Sequence, residues 1–437
     1  MRVLLLSYVF PPHPEVGALR AANLLIAFRD AGHQVTLVTE PLPGQVPAIP
    51  PGAGPEVKVV SVEPGLPYAM RLGRILRGVR RPRAGGSAAP TADEPIRAQP
   101  RPPGPLRSLL LSALSIPDDA NYSIAAFTRA GTEALRQGAD LIYSSAPPFA
   151  LHLSARRLHR RSGIPWVAEF RDPWTHPATS RPAALHPLTR GVDRWLERRV
   201  LRDADAIVMA TEAAKDHVAR QLPPERGNRL LVALNGIPEW EAPPPVPPGR
   251  HPFRLVHTGS LYMGRDPSDF LAALAAYVRR SGATPSDLAV ELIGDARHYQ
   301  GTPVAATVER LGLNGFVRIE DWLPHAEVRA RLFQADALLL LAQHQPLQVP
   351  NKLYEYLALR RPILAFVDQE GESARLLRQF PQSRLCYGPD PEQAARVLEE
   401  LVERRGEPAL PDAAALAALS ARAQMRQLVD ELGRRFG

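Results

Sequence analysis

The stretch VLLLSYVFPPHPEVGALRAANLLIAFRDAGHQVTLVT (Val3–Thr39) decides the fold that this chain is expected to adopt. Val3–Phe10 is a continuous apolar run, which predicts a strand covered on both faces. The pattern predicts a helix over Ala18–Asp30, ended by Gly32, and a second strand over Gln34–Thr39. This strand–helix–strand order is the first unit of a doubly wound parallel sheet.

The same alternation continues along the chain and restarts after a proline cluster at Glu241–Pro252. The sequence predicts further strands at Asp140–Ser144, Pro165–Phe170, Ala206–Met209, Arg254–Thr258, Ala289–Ile293, Val317–Glu320, Ala337–Leu341 and Pro362–Val367. It predicts helices that include Pro267–Arg280, Ala326–Phe333 and a last one over about Ala413–Arg434. The expected fold class is therefore α/β, with two Rossmann-like doubly wound domains.

The expected domains are residues 1–237, a stiff linker over 238–252, residues 253–412 and a C-terminal helix over 413–437. Inside the first domain, a basic amphipathic helix is predicted near 66–83, and its arginines are Arg71, Arg74, Arg77, Arg80 and Arg81. Residues 84–105 are mostly Pro, Gly, Ala and Arg, which predicts a disordered insertion.

Composition narrows the class of protein. The 437 residues carry a net charge of +8, which favours anionic partners. A single cysteine, Cys386, excludes an internal disulfide framework. No run reaches the roughly 18 apolar residues of a membrane span, and the apolar N-terminus is too short and proline-stopped for a signal peptide. A cytoplasmic protein is expected.

Residues that follow strands are candidates for a site, because ligands bind outside the carboxyl ends of parallel strands. Gly17 precedes a helix whose N–H groups can hold an anion, although glycine there also suits a tight turn. Arg171 and Asp172 either orient a polyol hydroxyl or pair with each other and their loop. Asn235-Gly236 favours a positive-φ turn with a structural role.

In the second half, Arg265 stands just before a predicted helix and is a candidate diphosphate ligand, with a solvated surface arginine as the alternative. Glu355 is a candidate to accept hydrogen bonds from two vicinal hydroxyls, and Lys352 to hold a phosphate. The alternative is an i,i+3 ion pair between these two residues, worth roughly 0.2–0.5 kcal/mol. The amides at Gly371 and Glu372 are candidates to face a phosphate.

Several stretches together resemble the retaining glycosyltransferases of the family 4-like group, which have the GT-B fold. They occur in the family's order and are FPPHPEVGALR, YSSAPPFALHLSARRL, GIPWVAEFRDPW, ATEAAKDHV, LNGI, TGSLYMGRDP, ELIGDA and PNKLYEYLALRRPILAF. The resemblance implies two domains facing across a cleft and a C-terminal helix that crosses back to the first domain. It also implies transfer from a nucleoside-diphosphate sugar to a glycan or lipid-linked acceptor, with retention, in cell-surface polysaccharide or glycolipid synthesis.

The resemblance also implies roles for individual residues. Arg265 would contact the donor diphosphate, Glu355 the ribose, Gly17 would lie near the donor phosphate, and Gly294 would line the base pocket. The full implied donor set is Gly17, Gly259, Ser260, Arg265, Gly294, Asn351, Lys352, Glu355, Gly371 and Glu372. Arg265, Lys352 and Asp172 are the expected catalytic residues, and Arg20, Arg171 and Asp172 belong to an acceptor or structural loop.

The chain departs from the family pattern at three positions. Leu347 stands where the family has its first glutamate, eight residues before Glu355. Ser260 replaces a frequent arginine, and Glu169 replaces a common aspartate. These departures leave open which sugar is bound and whether the chain is active.

Other functions and partners remain open at this point. A nucleotide-sugar epimerase of the same fold and an inactive nucleotide-sugar-binding relative are the alternatives. No cofactor and no metal are expected. Nucleic acid is not expected, because the arginines are not interleaved with aromatic residues. The arginines of the predicted basic helix favour a peripheral contact with an anionic inner membrane face, against the alternative of a solvated helix.

Overall fold

A computed structural model describes residues 1–49, 56–68, 70, 105–176, 187–240, 252–262, 264–406 and 413–437. The predicted basic arginines at 71–81, residues 84–104 of the insertion predicted over 84–105, and the linker residues 241–251 lie outside the described residues, while Pro105 begins a helix. The chain divides into two compact units. The first consists of Met1–Leu25, Gly32–Ile207 and Phe436, and the second of Ile26–Ala31, Val208–Arg435 and Gly437. The predicted domain boundaries stay a prediction.

A seven-stranded sheet has the order β3-β2-β1-β4-β5-β6-β7. Its strands are β1 (Arg2–Ser7), β2 (Gln34–Thr39), β3 (Val57–Ser61), β4 (Leu141–Ala146), β5 (Trp166–Phe170), β6 (Ala206–Met209) and β7 (Leu230–Val232). The helices over this part of the chain are α1 (Val16–Asp30), α2 (Pro105–Leu114), α3 (Ile124–Arg136), α4 (Ala150–Ser162), α5 (Pro187–Asp203) and α6 (Glu212–Ala219). Short 3₁₀ helices cover Asp119–Ser123 and Pro224–Arg229.

A six-stranded sheet has the order β12-β9-β8-β13-β14-β15, and a small antiparallel pair accompanies it. The strands are β8 (Phe253–Thr258), β9 (Leu288–Ile293), β10 (His298–Tyr299), β11 (Thr302–Pro303), β12 (Val317–Glu320), β13 (Ala337–Ala342), β14 (Ile363–Val367) and β15 (Ser383–Cys386). The helices are α7 (Ser268–Ser281), α8 (Val304–Arg310), α9 (His325–Phe333), α10 (Asn351–Leu359), α11 (Glu372–Leu377), α12 (Pro391–Glu403), α13 (Ala413–Ala418) and α14 (Ala421–Phe436).

Both sheets confirm the predicted doubly wound α/β architecture. In each sheet the first strand, β1 or β8, lies between the second and the fourth, so that the order is 3-2-1-4-5-6, with β7 added as a seventh strand in the first sheet. Early strands are therefore added on one side of the first strand and later strands on its other side. This change of side lies between β1 and β4 in one sheet and between β8 and β13 in the other. Ligands of open parallel sheets bind outside the carboxyl ends of the strands at such a switch point.

The central strand β13, ALLLLA, shows how both faces of the second sheet are covered. Leu339 and Leu341 belong to one buried apolar cluster, and Leu338 and Leu340 to another. Successive side chains of a strand point to opposite faces, so a run of leucines supplies both layers of core at once. This explains why a strand in the middle of a parallel sheet has no polar alternation.

Several boundaries differ from the prediction by one to three residues: the first helix, for example, begins at Val16 rather than Ala18, so Gly17 lies within its first turn. The first strand ends at Ser7 rather than Phe10, and Ser7 Oγ donates a hydrogen bond to the carbonyl of Val9 just beyond it. The single predicted C-terminal helix is two helices, α13 and α14. At the break, Ile237 donates to the carbonyl of Leu419 and Ala421 donates to the carbonyl of Ile237, so another segment satisfies the backbone groups there. Ser420 caps α14 by accepting from Ala423.

The predicted positive-φ turn at Gly236 is confirmed, with φ of +81°. The turn leads into Ile237, whose backbone contacts the start of α14. Gln424 on α14 accepts from the Leu234 amide at 3.1 Å, and Arg435 donates to the carbonyl of Asn228. The predicted turn therefore anchors the C-terminal helices. Among the described helices, none is long and apolar enough to cross a bilayer.

Replacement of Gly236 by alanine is expected to lower stability more than the same change at Gly163. Both glycines have positive φ, but a Cβ at Gly236 would collide with the backbone of Ala421, while nothing lies within 4 Å of one at Gly163. We expect Gly163→Ala to cost about 1 kcal/mol and Gly236→Ala more than about 2 kcal/mol. Urea unfolding of both variants measures the difference, and equal losses would show that the collision is relieved.

Candidate active site

Two glycines form the floor of the candidate site in the second unit. Gly259 follows β8 and Gly294 follows β9, with φ of +108° and +119°. A Cβ on Gly294 would lie 3.0 Å from the carbonyl oxygen of Gly259, so the two strand ends pack backbone against backbone. A Cβ on Gly259 would overlap with the ammonium group of Lys352. The positive φ favours glycine at this position, and the absence of a side chain lets Lys352 lie against the backbone.

Lys352 joins the loops on the two sides of the switch point. It lies in the first turn of α10, which follows β13, and its Nζ donates a hydrogen bond to the carbonyl of Thr258 at the end of β8. Glu355, three residues later, instead accepts from Nδ2 of Asn351 at 3.0 Å. The two side chains therefore have separate partners rather than forming the simple i,i+3 ion pair considered above.

The electrostatics of Lys352 follow from its surroundings. Burial, and next the neighbouring charge of Arg265, lower the pKa of Lys352 to about 7, while Glu355 acts in the opposite direction. Burial raises the pKa of Glu355, and the hydrogen bond from Asn351 partly opposes this rise. A buried ammonium group beside a guanidinium group is a site that favours an anion.

Arg265 is held by an aromatic side chain. Its guanidinium carbon lies 4.4 Å from the centre of the Tyr262 ring, and its amide donates to the carbonyl of Tyr262 at 3.0 Å. Its Nε is buried and has no hydrogen-bond partner among the described residues. The ring stack fixes the direction of the guanidinium group, and a buried donor without a partner is available to a ligand.

Three further residues support this site, and sequence reasoning missed them. The Tyr356 hydroxyl accepts from the Thr258 amide at 3.0 Å, which fixes the end of β8. His257 is fully buried, and its Nδ1 lies 2.9 Å from the carbonyl of Leu339, so Nδ1 carries the proton. Burial, then the charges of Lys352 and Arg265, lower the pKa of His257 well below its usual value. The available signal was a polar HT pair at the end of an apolar strand.

The Gly371 and Glu372 amides already have partners. They donate to the carbonyls of Asp368 and Pro346 at 2.9 and 3.0 Å. The Glu372 carboxylate is buried and accepts from the Ala213 amide and from Arg375. The structure therefore gives Glu372 a packing role and leaves these two amides without a free hydrogen atom for a phosphate.

The remaining second-unit predictions lie near the same strand ends. Ser260 follows Gly259 and is half-buried. Leu347, at the position of the family's first glutamate, is half-buried, and its carbonyl accepts from Thr211 Oγ1 at 2.6 Å. No carboxylate is supplied at that position, in agreement with the departure seen in the sequence.

In the first unit, Gly17 makes room for Arg171. A Cβ on Gly17 would overlap with the guanidinium group of Arg171. Arg171 donates through Nε to the carbonyl of Ala146 at 3.3 Å and through Nη2 to that of Pro147. Burial lowers the pKa of Arg171, although the charges of Glu169 and Asp172 oppose this. These contacts favour the loop-pairing interpretation of Arg171 over contact with a polyol.

Arg20 forms a buried ion pair with Glu169. Its Nε and Nη2 lie 3.0 and 2.8 Å from Oε1 of Glu169, and the Tyr143 hydroxyl donates to the same oxygen at 2.8 Å. Burial acts to raise the pKa of Glu169, but Arg20 and the hydrogen bonds bring it below its usual value. Arg20 is therefore a structural residue of the first unit, as is the glutamate that replaces the family's aspartate.

The structure thus gathers the predicted residues into two groups. Lys352, Arg265 and the glycines after β8 and β9 are together in the second unit. Gly17, Arg20, Arg171 and Asp172 are in the first unit. Asp172, although an expected catalytic residue, is therefore not in the same unit as Lys352 and Arg265. The catalytic assignments stay a prediction.

Comparison with known proteins gives the family. Residues 17–236 match the family described as the glycosyl transferase 4-like domain. The chain belongs to this family. The alpha-D-kanosaminyltransferase of Streptomyces kanamyceticus is 25% identical over 319 residues, which cover 66% of this chain and 75% of that protein. The enzyme class is therefore that of the glycosyltransferases.

Solved structures give the fold. The chain is similar to the sucrose-phosphate synthase from Thermosynechococcus elongatus, with a TM-score of 0.63, 14% identity and coverage of 100% of both chains. It is also similar to HepE of Anabaena in complex with UDP and glucose, with a TM-score of 0.58, 14% identity and coverage of 99% of both chains. The predicted two-domain, Rossmann-like GT-B fold is confirmed.

The contact between Gly17 and Arg171 is expected to appear as a coupling energy. Gly17→Ala should destabilise the protein by more than about 2 kcal/mol, because the new methyl group displaces a buried guanidinium group. In an Arg171→Ala background the same change should cost at least about 1 kcal/mol less. Chemical unfolding of the four proteins in this cycle measures the coupling.

Gly191→Ala is the matched control for that cycle. Gly191 also lies in a helix, α5, but nothing lies within 4 Å of a Cβ there. This variant should be neutral or more stable by up to about 1 kcal/mol, since alanine is the better helix former. Additive effects of Gly17→Ala and Arg171→Ala would contradict the contact.

Proposed function

We propose that this glycosyltransferase moves a hexose from a nucleoside-diphosphate sugar to a glycan or lipid-linked acceptor, with retention of the anomeric configuration. The observation that carries the proposal is the pair of neighbouring cations at the switch point, Lys352 and Arg265. Neither forms an ion pair with a carboxylate in the part of the chain that the structure describes. Two neighbouring, half-buried cations without a carboxylate partner among the described residues favour a ligand with two adjacent negative charges, which a diphosphate provides.

The surroundings of these cations support the same ligand. Gly259 lets the ammonium group of Lys352 lie directly against the end of β8, and Gly294 lets the end of β9 pack against Gly259, so a ligand held by Lys352 would lie beside both strand ends. Glu355 lies one helical turn beyond Asn351, which orients its carboxylate. A carboxylate accepts well from the two vicinal hydroxyls of a ribose. We assign Glu355 to the ribose and Lys352 and Arg265 to the diphosphate.

In the proposed reaction, the bond between C1 of the sugar and the β-phosphate oxygen breaks, and a bond from C1 to the acceptor oxygen forms on the same face. The acceptor hydroxyl gives its proton to the departing phosphate oxygen. Lys352 and Arg265 stabilise the charge that develops on the diphosphate. No separate protein base, cofactor or metal is needed in this scheme.

The comparisons support the choice of substrates to try first. The HepE structure is a complex with UDP and glucose, and another similar structure, from E. coli, is bound with UDP-2-fluoro glucose. UDP-hexoses are therefore the first donors of our proposal. For the acceptor we propose cell-surface polysaccharide or glycolipid synthesis at the inner face of the membrane in the cytoplasm.

A second candidate follows from Leu347. The half-buried leucine supplies no hydrogen-bond acceptor where the family's first glutamate would meet the donor sugar. A protein that binds the nucleotide but does not transfer its sugar is therefore the alternative. Incubation with a panel of UDP-sugars and acceptors separates the two, because transfer gives a product whose anomeric configuration can be read by NMR. An inverted product would contradict retention.

The affinity for UDP is expected to fall as pH rises from 7 to 9. The free Lys352 amine loses its proton above its pKa of about 7, and bound diphosphate favours the protonated form. Binding therefore takes up a proton, and affinity should decrease by up to about tenfold per pH unit in this range. Isothermal titration calorimetry in buffers of different ionisation enthalpy measures the proton uptake.

Lys352→Met should weaken UDP binding and remove this proton uptake. Lys215→Met is the control, because Lys215 pairs with Glu212 on α6 and lies outside the site. A pH dependence that persists in Lys352→Met would assign it to another group, with His257 and Glu355 as the neighbours to test.

Glu355→Gln is expected to weaken UDP binding by about 10- to 100-fold, the effect of losing charge-assisted hydrogen bonds to hydroxyls. The fold should persist, because the glutamine oxygen still accepts from Asn351. The wild type should discriminate UDP from 2′-deoxy-UDP, and Glu355→Gln should lose most of that discrimination. The exposed Glu327→Gln serves as control, and unchanged discrimination in Glu355→Gln would remove Glu355 from the ribose site.

A further inference from the structure

We propose that the outer face of α5 in the first unit binds the surface of an anionic membrane. Three large apolar side chains are exposed on this helix: Leu188, Val192 and Trp195, with 67%, 44% and 50% of their surface accessible. Their spacing of four and three residues places them on one face of the helix. We call these three residues the α5 stripe.

Core packing does not account for the α5 stripe. The buried side of α5 carries Thr189, Asp193 and Glu197 in its first turns, each about 3% exposed. Thr175 Oγ1 donates to Glu197, and burial raises the pKa of that carboxyl group. A surface helix ordinarily turns its apolar side inward and its polar side outward. Over these turns α5 does the reverse, so its apolar side faces a partner or solvent.

The charge that surrounds the stripe is positive. The exposed arginines of α5 are Arg190, Arg194, Arg198 and Arg202. Asp203 pairs with Arg202 at 3.0 Å as well as with Arg156 at 2.7 Å, and Asp193 and Glu197 are buried. Arg194 and Arg198 form no ion pair among the described residues, so they supply the exposed charge of this face. The outer face of α5 therefore presents apolar side chains among cations.

Trp195 is paired with a further arginine. The Arg199 guanidinium carbon lies 3.9 Å from the centre of its indole ring. An aromatic ring beside a guanidinium group suits the boundary between headgroups and acyl chains, where one part meets lipid and the other meets phosphate. The neighbouring helix α2 packs against α5 and exposes Leu110, which is 48% accessible. These features match a helix that lies in the plane of a membrane surface.

The positive charge of this face favours an anionic membrane over a second copy of the chain as its partner. A second copy of this chain docked by the same face would bring two sets of arginines together, which repel each other. An anionic bilayer supplies both parts of the complement, phosphate for the arginines and hydrocarbon for the stripe. Each arginine near such a surface contributes about fivefold to binding.

The membrane contact is independent of the proposed chemistry, but its purpose rests on the proposed lipid-linked acceptor. A first unit held at the bilayer would meet an acceptor whose lipid cannot leave it. The contact uses only described residues of α5 and does not depend on the predicted basic helix at 71–81.

Co-sedimentation with vesicles tests the proposal. The full chain is mixed with vesicles of phosphatidylcholine alone or of phosphatidylcholine and phosphatidylglycerol in a ratio of about three to one, without nucleotide. We expect binding to the anionic vesicles that weakens as salt increases. Arg194→Glu with Arg198→Glu should weaken it by at least about tenfold, and Val192→Ser with Trp195→Ala by a similar factor.

Two controls distinguish a specific effect of α5 from the effect of net charge and from the effect of any exposed tryptophan. Arg310→Glu with Arg396→Glu makes the same change in net charge at exposed positions of the second unit, and Trp322→Ala removes a tryptophan that is 70% exposed there. Both should bind vesicles like the wild type. All variants should bind UDP equally, so loss of vesicle binding would not reflect failure of the proposed function.

Three results would overturn the proposal. These are binding that persists in both α5 variants, absence of binding to anionic vesicles at low salt, and equal loss in the control with matched charge. Light scattering after gel filtration tests whether a second copy of the chain binds this face instead. A dimer that dissociates on Trp195→Ala, together with unchanged vesicle binding, would assign the stripe to self-association instead.

Discussion

The hydrogen bond from Lys352 to the carbonyl of Thr258 is the interaction on which the candidate site depends. It joins the helix after β13 to the end of β8, two strands that are neighbours in the sheet although 94 residues separate the partners in sequence. The strand order creates the opening between their carboxyl ends, and the lysine crosses it. The other residues of the site support this bond. Gly259 leaves room for the lysine, Tyr356 holds the end of β8, and Arg265 lies close enough to lower the pKa of Lys352.

The two units share one arrangement of glycine and cation. In the first unit Gly17, after β1, leaves space for Arg171, and in the second Gly259, after β8, leaves space for Lys352. In both cases the place of a side chain is filled by a charged group from a residue far away in the sequence, Arg171 after β5 or Lys352 on α10. The outcomes differ. Arg171 uses its donors on the carbonyls of its own unit, whereas the buried Nε of Arg265, beside Lys352, has no partner among the described residues. Rigidity follows from the first arrangement and ligand binding is proposed for the second.

The sequence predicted the parts of the fold that local pattern controls. The leucine run of β13, the βαβ opening and the turn at Gly236 all appeared as expected, because burial on two faces and positive φ leave clear composition signals. The strands β3, β7, β10, β11 and β15 were missed, since their residues are mostly half-buried or exposed. The break between α13 and α14 was also missed, because its cause is a backbone contact with Ile237, far away in the chain.

The candidate site was predictable in its members but not in their contacts. Lys352, Arg265 and Glu355 were named from their places after strands, yet the partner of each depends on strand order. The stack of Arg265 on Tyr262 had a local signal, an aromatic residue three positions earlier, that was not used. On α5, the pattern of Leu188, Val192 and Trp195 is typical of a buried helix face. Only the structure shows that Asp193 and Glu197 occupy the inner side instead.

The depressed pKa of Lys352 has a consequence for the protein without its ligand. An amine whose pKa falls from 10.5 to about 7 on folding makes the folded state hold fewer protons than the unfolded chain between these values. The folded second unit is therefore destabilised by this group in full below about pH 7, and progressively less as pH rises towards 10.5. The proton that would attract a diphosphate thus lowers the stability of the fold, and binding of an anion would offset that loss.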